Sequence, residues 1–168
     1  MAGDPAIALV LESSDTAVSE ELQRAYFADI ARRYPGWSPD LIPSADPAEV
    51  APPVGAWVVA YVGGQAVGCG GIKRLDDEAA ELKRIYLAES ARGHGLGRRL
   101  LEELEAHARA LGYRCVRLDT GDLQPEALSL FRSAGYVEIP DYNGNTWATY
   151  WMEKQLGEPA GQATGVRP

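Results

Sequence analysis

The chain has 168 residues, 46% hydrophobic and 24% charged, which is enough for one compact domain with a sizeable core. Its formal net charge of −8 disfavours non-specific binding to nucleic acid or to anionic membranes, because both need a basic face. Apolar runs such as Ala56 to Val62 are too short to span a bilayer, and Met1-Ala2-Gly3-Asp4-Pro5 is not a basic segment leading into an apolar one. Cys69 and Cys115 lack metal-ligand spacing, so the expectation is a metal-free protein of the reducing cytoplasm.

In chain order, Ile7 to Leu11 reads as an apolar strand. The helix after it sets Leu22, Tyr26, Phe27, Ile30 and Tyr34 on one face and stops at Pro35-Gly36. Pro35 to Gly55 holds six of the eleven prolines with little periodicity and reads as a long ordered surface loop. Ala56 to Val62 and Gln65 to Ile72 form a hairpin around Gly63-Gly64, and Asp76-Asp77 leads into a third antiparallel strand, Ala80 to Leu87. Leu96, Leu100, Leu101, Leu104, Ala108 and Leu111 mark one face of a helix that ends at Gly112. Arg114 to Asp119 is the next strand and Pro125 to Ala134 a short helix. Tyr136 to Ile139 and Trp147 to Glu153 form a final strand pair, and Gln155 onward reads as a frayed tail. This order predicts a single domain over residues 1–154 with a flexible tail over 155–168. Its class is mixed α/β, one largely antiparallel central sheet with helices on both faces.

Between the third strand and the long helix lies Arg92-Gly93-His94-Gly95-Leu96-Gly97. Alternate glycines let a ligand approach the backbone, and the first helical turn offers unpaired N–H groups carrying partial positive charge. That is a cradle for a pyrophosphate. The spacing lacks the Gly-x-Gly-x-x-Gly of a dinucleotide fold and the Gly-Lys-Ser/Thr ending of a P-loop.

Three segments, Glu81-Leu82-Lys83-Arg84-Ile85-Tyr86-Leu87, Arg92-x-x-Gly95-x-Gly97 and Leu100-Leu101, together resemble the acetyl-CoA-binding core of the GNAT N-acetyltransferase superfamily. Gln124-x-x-Ala127-x-x-Leu130-Phe131-x-x-x-Gly135-Tyr136 is similar to the family's second cofactor motif, with Gln124 for the usual asparagine and Phe131 for the usual tyrosine. The resemblance is specific from about Ala56 to Lys154. It implies the GNAT fold, in which the strands Ala80 to Leu87 and Arg114 to Asp119 splay apart and the pantetheine arm inserts between them. It further implies that backbone groups of Ile85, Tyr86 and Leu87 bind the pantetheine, that the Ile85 amide stabilises the thioester oxyanion, and that Arg92, Gly93, His94, Gly95, Leu96, Gly97 and Arg98 cradle the pyrophosphate. Arg98 or Arg99 then lies near the 3′-phosphate, or both are solvated helix residues. Gln124 and Phe131 flank the cofactor, and Trp37 of the proline-rich loop is the candidate acceptor contact.

The implied reaction moves acetyl from acetyl-CoA to a primary amine of a small molecule or peptide, in a ternary complex. An amine of pKa ~10 is protonated at neutral pH, and freeing it costs on the order of 4 kcal/mol. Glu81, eleven residues before Arg92, is the candidate base, at the spacing some family members use; the alternative is a Glu81 held in an ion pair with Lys83. Phe131 cannot reprotonate the CoA thiolate, so the thiolate leaves unaided or another phenol, Tyr142 or Tyr136, takes the role. Competing readings are a non-catalytic acyl-CoA-binding or sensing module and an unrelated nucleotide-binding protein. A homodimer is common in the family, and Tyr142 to Tyr150 offers aromatic surface for one.

Overall fold

A computed structural model of the chain describes residues 4–42 and 45–158. Its elements are β1 (Ile7–Leu11), α1 (Ala17–Arg33), β2 (Ala56–Val62), β3 (Gln65–Arg74), β4 (Ala79–Leu87), α2 (Leu96–Ala110), β5 (Cys115–Thr120), α3 (Pro125–Ser133), β6 (Val137–Ile139) and β7 (Tyr150–Gln155). They build one sheet in the order β1-β2-β3-β4-β5-β7-β6, antiparallel except at β4–β5. This is the mixed α/β architecture expected from the element order.

The sheet is covered on both sides, which explains the near-continuous apolar runs of its central strands. On one face α2 packs Leu100, Leu101, Leu104 and Ala108 against Val58, Ile72, Ala80, Leu82 and Val116, with Phe131 of α3 in the same core. On the other, Trp57, Val59 and Cys69 meet Leu22 of α1 and Val50 of the proline-rich loop. Among its described residues that loop holds one 3-10 turn, at Pro39–Leu41; residues 43 and 44 lie outside the described residues. The α1 side is more polar: Thr16 caps the helix by accepting from the Ser19 amide at 3.1 Å, and Trp57 Nε1 donates to Ser19 Oγ at 3.0 Å.

Three expectations are corrected. The strand expected from Trp147 starts at Tyr150, because the side chain of Asn145 accepts from the Trp147 amide at 3.1 Å and holds the chain in a turn. Tyr136 stays out of β6: its ring is buried in the core and its hydroxyl donates to Glu105 Oε1 at 3.1 Å. The tail does not begin at Gln155, which pairs with Cys115. Leu156 is buried and its amide donates to the Arg114 carbonyl at 2.8 Å, so order runs past the expected boundary; residues 159–168 lie outside the described residues. In the segment expected to offer aromatic surface, Trp147 stands edge-on to Tyr34 at 6.5 Å and Trp151 Nε1 donates to Asn143 Oδ1 at 2.9 Å, while Tyr142, Trp147, Tyr150 and Trp151 all stay partly exposed.

Glu105, buried on α2, also accepts from Lys154 Nζ at 2.8 Å and so ties α2 to β7 as well as to Tyr136. Glu105→Leu strands a buried phenol and a partly buried ammonium. The expected loss is about 2 kcal/mol, modest because Lys154 can still reach water. Urea denaturation of the two proteins measures it, and a midpoint equal to wild type would contradict it.

Candidate active site

The two central strands pair only from Ala79 to Glu81 against Cys115 to Arg117. Beyond Glu81 and Arg117 they diverge, while β4 keeps its partner β3 on one side and β5 its partner β7 on the other. The result is a V whose backbone edges face a cleft of about 640 Å³ lined by both strands, α1, the proline-rich loop and the turn after Asp141. An extended chain segment with amide groups fits such a gap, because the diverging edges offer it donors and acceptors.

β4 carries one residue too many. Its register on β3 passes from Gly71↔Lys83 to Cys69↔Tyr86, so Arg84 and Ile85 together stand opposite Gly70, and Arg84 takes φ 54°. The bulge reverses the alternation of faces. Leu82, Ile85 and Leu87 all pack with the α2-side core, whereas Arg84 meets Gln23 and Phe27 of α1 and Tyr86 packs in the α1-side core. Simple alternation would place Glu81 and Ile85 on one face; the bulge separates them. It also leaves Arg84 and Ile85 with no register partner on β3, as a donating Ile85 amide requires.

Glu81 is 4% exposed, sits at the last paired rung and lines the cleft. Lys83 Nζ lies 2.5 Å from its Oε1, so the ion pair considered as the alternative role for this carboxylate exists. Trp37, expected as an accessible contact, is buried against Ile30 and Tyr34 with the Phe27 ring at 5.9 Å; it lines the cleft as wall. Tyr26, half-buried beside it, has its phenol pKa pushed up, first by burial and then by the charge of Asp119.

At the open end of β4, Gly93 and Gly95 both take left-handed φ, 81° and 77°, and Gly95 starts α2 with no side-chain cap. The amides of the first α2 turn are left to a ligand, as a phosphate site demands. His94 is exposed. Arg92 does not reach across this loop: its Nε donates to the Leu87 carbonyl at 2.9 Å and its Nη2 stands 3.7 Å from Asp29 of α1. These contacts link β4 to α1 beside the turn. Arg98 Nη2 donates to Ser133 Oγ of α3 at 2.7 Å, and Arg99 is exposed.

Gln124, ahead of α3, caps nothing with its side chain and lines the cleft. Phe131 also lines it, and is 3% exposed with its ring 5.8 Å from Tyr136. Neither phenol suggested in its stead is among the residues lining the cleft. Tyr136 is engaged by Glu105 in the core. The Tyr142 hydroxyl is buried with no partner in hydrogen-bonding geometry, and its pKa is driven up by burial and then by the charge of Glu81. Sequence reasoning passed over Tyr34, read only as core. The residue lines the cleft, and its hydroxyl accepts from the Leu123 amide at 3.0 Å and approaches Gly121 so closely that any Cβ there would collide with it. Gly121 is the one signal in the sequence that could have pointed to it.

Among the described residues no group of three or more His, Cys, Asp or Glu side chains is set to hold a metal, and no helix is long and apolar enough to cross a membrane. The Acetyltransferase (GNAT) family model matches residues 16–136. An IAA acetyltransferase of Azospirillum brasilense is 35% identical over 150 residues, 87% of this chain and 93% of its own length. The N-alpha-acetyltransferase RimI of Mycobacterium tuberculosis is 34% identical over 126 residues, 70% and 77% of the two chains. A GNAT-family acetyltransferase of Staphylococcus aureus superimposes with a TM-score of 0.75 at 18% identity, over 90% of this chain and 100% of its own. One from Elizabethkingia anophelis, solved with acetyl-CoA bound, gives 0.65 at 18% identity over 89% and 97%. With the splayed strands, the bulge and the glycine turn in place, the chain belongs to the GNAT family of acetyl-CoA-using N-acetyltransferases.

Proposed function

We propose that the chain moves an acetyl group from acetyl-CoA to a primary amine of a small molecule by direct attack in a ternary complex. The observation that carries this reading is a buried carboxylate, Glu81, at the closed end of the V and facing the cleft. Acetyl-CoA supplies the activated acetyl group; the residues of the chain bind, orient and move protons. The amides that begin α2 hold the pyrophosphate, the edges of β4 and β5 beyond Glu81 and Arg117 hydrogen-bond the pantetheine, and the Ile85 amide donates to the thioester oxygen, worth about 3 kcal/mol in the transition state. Glu81 takes the amine's proton, directly or through a water, with Lys83 holding its other side. Tyr34 gives a proton to the departing thiolate: its oxygen accepts from Leu123, which leaves its O–H free to point into the cleft.

CoA binding is expected to raise the melting temperature, since a ligand held only by the folded state stabilises it. Gly95→Val forces a β-branched side chain into the left-handed region at the cradle and should remove most of that shift. Calorimetry with and without CoA reads it, and an undiminished shift in a folded variant would count against the cradle.

Glu81→Gln should lower kcat roughly 10²-fold at neutral pH with CoA affinity intact. The loss should shrink as pH rises towards the amine's pKa of ~10, because the free amine is the reactive form and grows with pH. A Glu81→Gln profile parallel to wild type at every pH would leave the carboxylate as Lys83's partner only.

Tyr34→Phe should reduce kcat about tenfold or more with little change in KM, and Tyr142→Phe should not. Adding Phe131→Tyr to Tyr34→Phe should restore part of the loss, since the new hydroxyl stands on the same cleft wall. Steady-state kinetics of all three decides, and full activity in Tyr34→Phe removes the phenol from the mechanism.

A further inference from the structure

Four basic side chains border the cleft, and three of them are spoken for. Lys73 Nζ stands 3.3 Å from Glu49 Oε1, Arg74 is paired with Asp77, and Lys83 Nζ lies 2.5 Å from Glu81 Oε1. Arg84 has no carboxylate partner among the described residues. Its Nη1 donates to the amide oxygen of Gln23, and its guanidinium carbon sits 4.9 Å from the centre of the Phe27 ring. Gln23 is itself fixed, donating to the Ser14 carbonyl at 2.7 Å, so its oxygen is held towards Arg84. Burial holds the Arg84 pKa below its ordinary value.

A half-buried guanidinium with no counter-charge is unfavourable unless function requires it. Here it is also costly locally: Arg84 is the bulge residue, and φ 54° is a conformation that side-chain-bearing residues adopt at a penalty. Stacked on Phe27 and held by Gln23 through one nitrogen, the planar head keeps a free edge for a second ligand, and its two-donor geometry matches a carboxylate. Among the described residues bordering the cleft only one positive charge is unpaired, which matches a carboxylate's single negative charge better than the nearly doubled charge of a phosphate monoester. On the same side of β4, Glu81 supplies the opposite sign for an ammonium.

We propose that the acceptor is an aminocarboxylic acid of small-molecule size, its amine directed to Glu81 and its carboxylate bound by Arg84 in the cleft beneath α1. Tyr26, Trp37 and Trp147 give the remaining wall an aromatic character suited to an apolar side chain on that acceptor. This rests on the acetyl-transfer reading and narrows it to one substrate class.

The test compares matched acceptors on the intact protein: tryptophan and phenylalanine, their carboxamides, and tryptamine and phenethylamine. The carboxamides have the less basic amines and are chemically readier at neutral pH, so a preference for the acids reports recognition rather than reactivity. Expected is a kcat/KM at least tenfold higher for an acid than for its carboxamide. Arg84→Gln should bring that ratio to about one through a rise in KM for the acid, and Arg84→Lys should keep part of it, while the melting shift given by CoA persists in both. Carboxamides or plain amines turned over as well as the acids, or a ratio unchanged in Arg84→Gln, would overturn carboxylate recognition and leave acetyl transfer standing. CoA binding with no turnover of any of the six acceptors would overturn both. Should the Arg84 variants not fold, the wild-type acid-to-carboxamide ratio decides alone.

Discussion

The extra residue of β4 opposite Gly70 sets which chemistry faces which side of the sheet. A strand alternates strictly, so Leu82 facing α2 would put Arg84 on α2's side and Ile85 on α1's. Inserting Arg84 lets Leu82, Ile85 and Leu87 all serve the α2 core while Glu81, Lys83, Arg84 and Tyr86 gather beneath α1. Two features depend on that one change of parity, an unpaired guanidinium beneath α1 and an amide free of the ladder, whereas Glu81 and Lys83, ahead of the bulge, face α1 by ordinary alternation with Leu82. Deleting Ile85 would restore the ladder by turning Arg84 to the α2 face, towards Leu104.

α1 is the other half of the cleft, and weak interactions place it. Asp29 accepts from Arg32 and Arg33 and stands 3.7 Å from Arg92 Nη2, and Arg33 continues to Glu126 of α3 and to the Leu123 carbonyl at 2.9 Å. Arg32–Asp29 and Arg33–Glu126 each have an exposed partner, and surface pairs contribute about 0–1 kcal/mol each, too little to hold a domain together. Their effect is positional. They run from the glycine turn through the last turn of α1 to the start of α3, and so bring Tyr34 over the end of β5. The walls touching the acceptor are thereby fastened to the loop that receives the cofactor's phosphates.

The parts legible in the sequence were those written as local pattern. The glycine run between a strand and an amphipathic helix, the Gly63-Gly64 hairpin, and Glu81 at its spacing before Arg92 all stand where the pattern puts them. Arg84 and Tyr34 were illegible for different reasons. A positive φ at an arginine leaves no compositional trace, so the face-switch at β4 is visible only in the register with β3. Tyr34 sits on a helical apolar stripe, where a phenol and a phenyl ring give the same periodicity, and its contact with Leu123 spans a sequence separation no local window covers. For Arg92 motif position suggests a phosphate ligand, and its contacts to the Leu87 carbonyl and to Asp29 were not legible because they too are set by the packing of β4 on α1.

Both cysteines are free and buried, and their thiol pKa values are pushed up by burial, that of Cys69 to about 12 and that of Cys115 to about 11. At neutral pH fewer than about one in a thousand of either is thiolate, whereas a thiol of ordinary pKa ~8.5 is ionised to a few per cent. The folded enzyme is therefore nearly silent towards a chromogenic disulfide reagent. Coloured anion released during turnover counts coenzyme thiol liberated in solution, with no protein background to subtract.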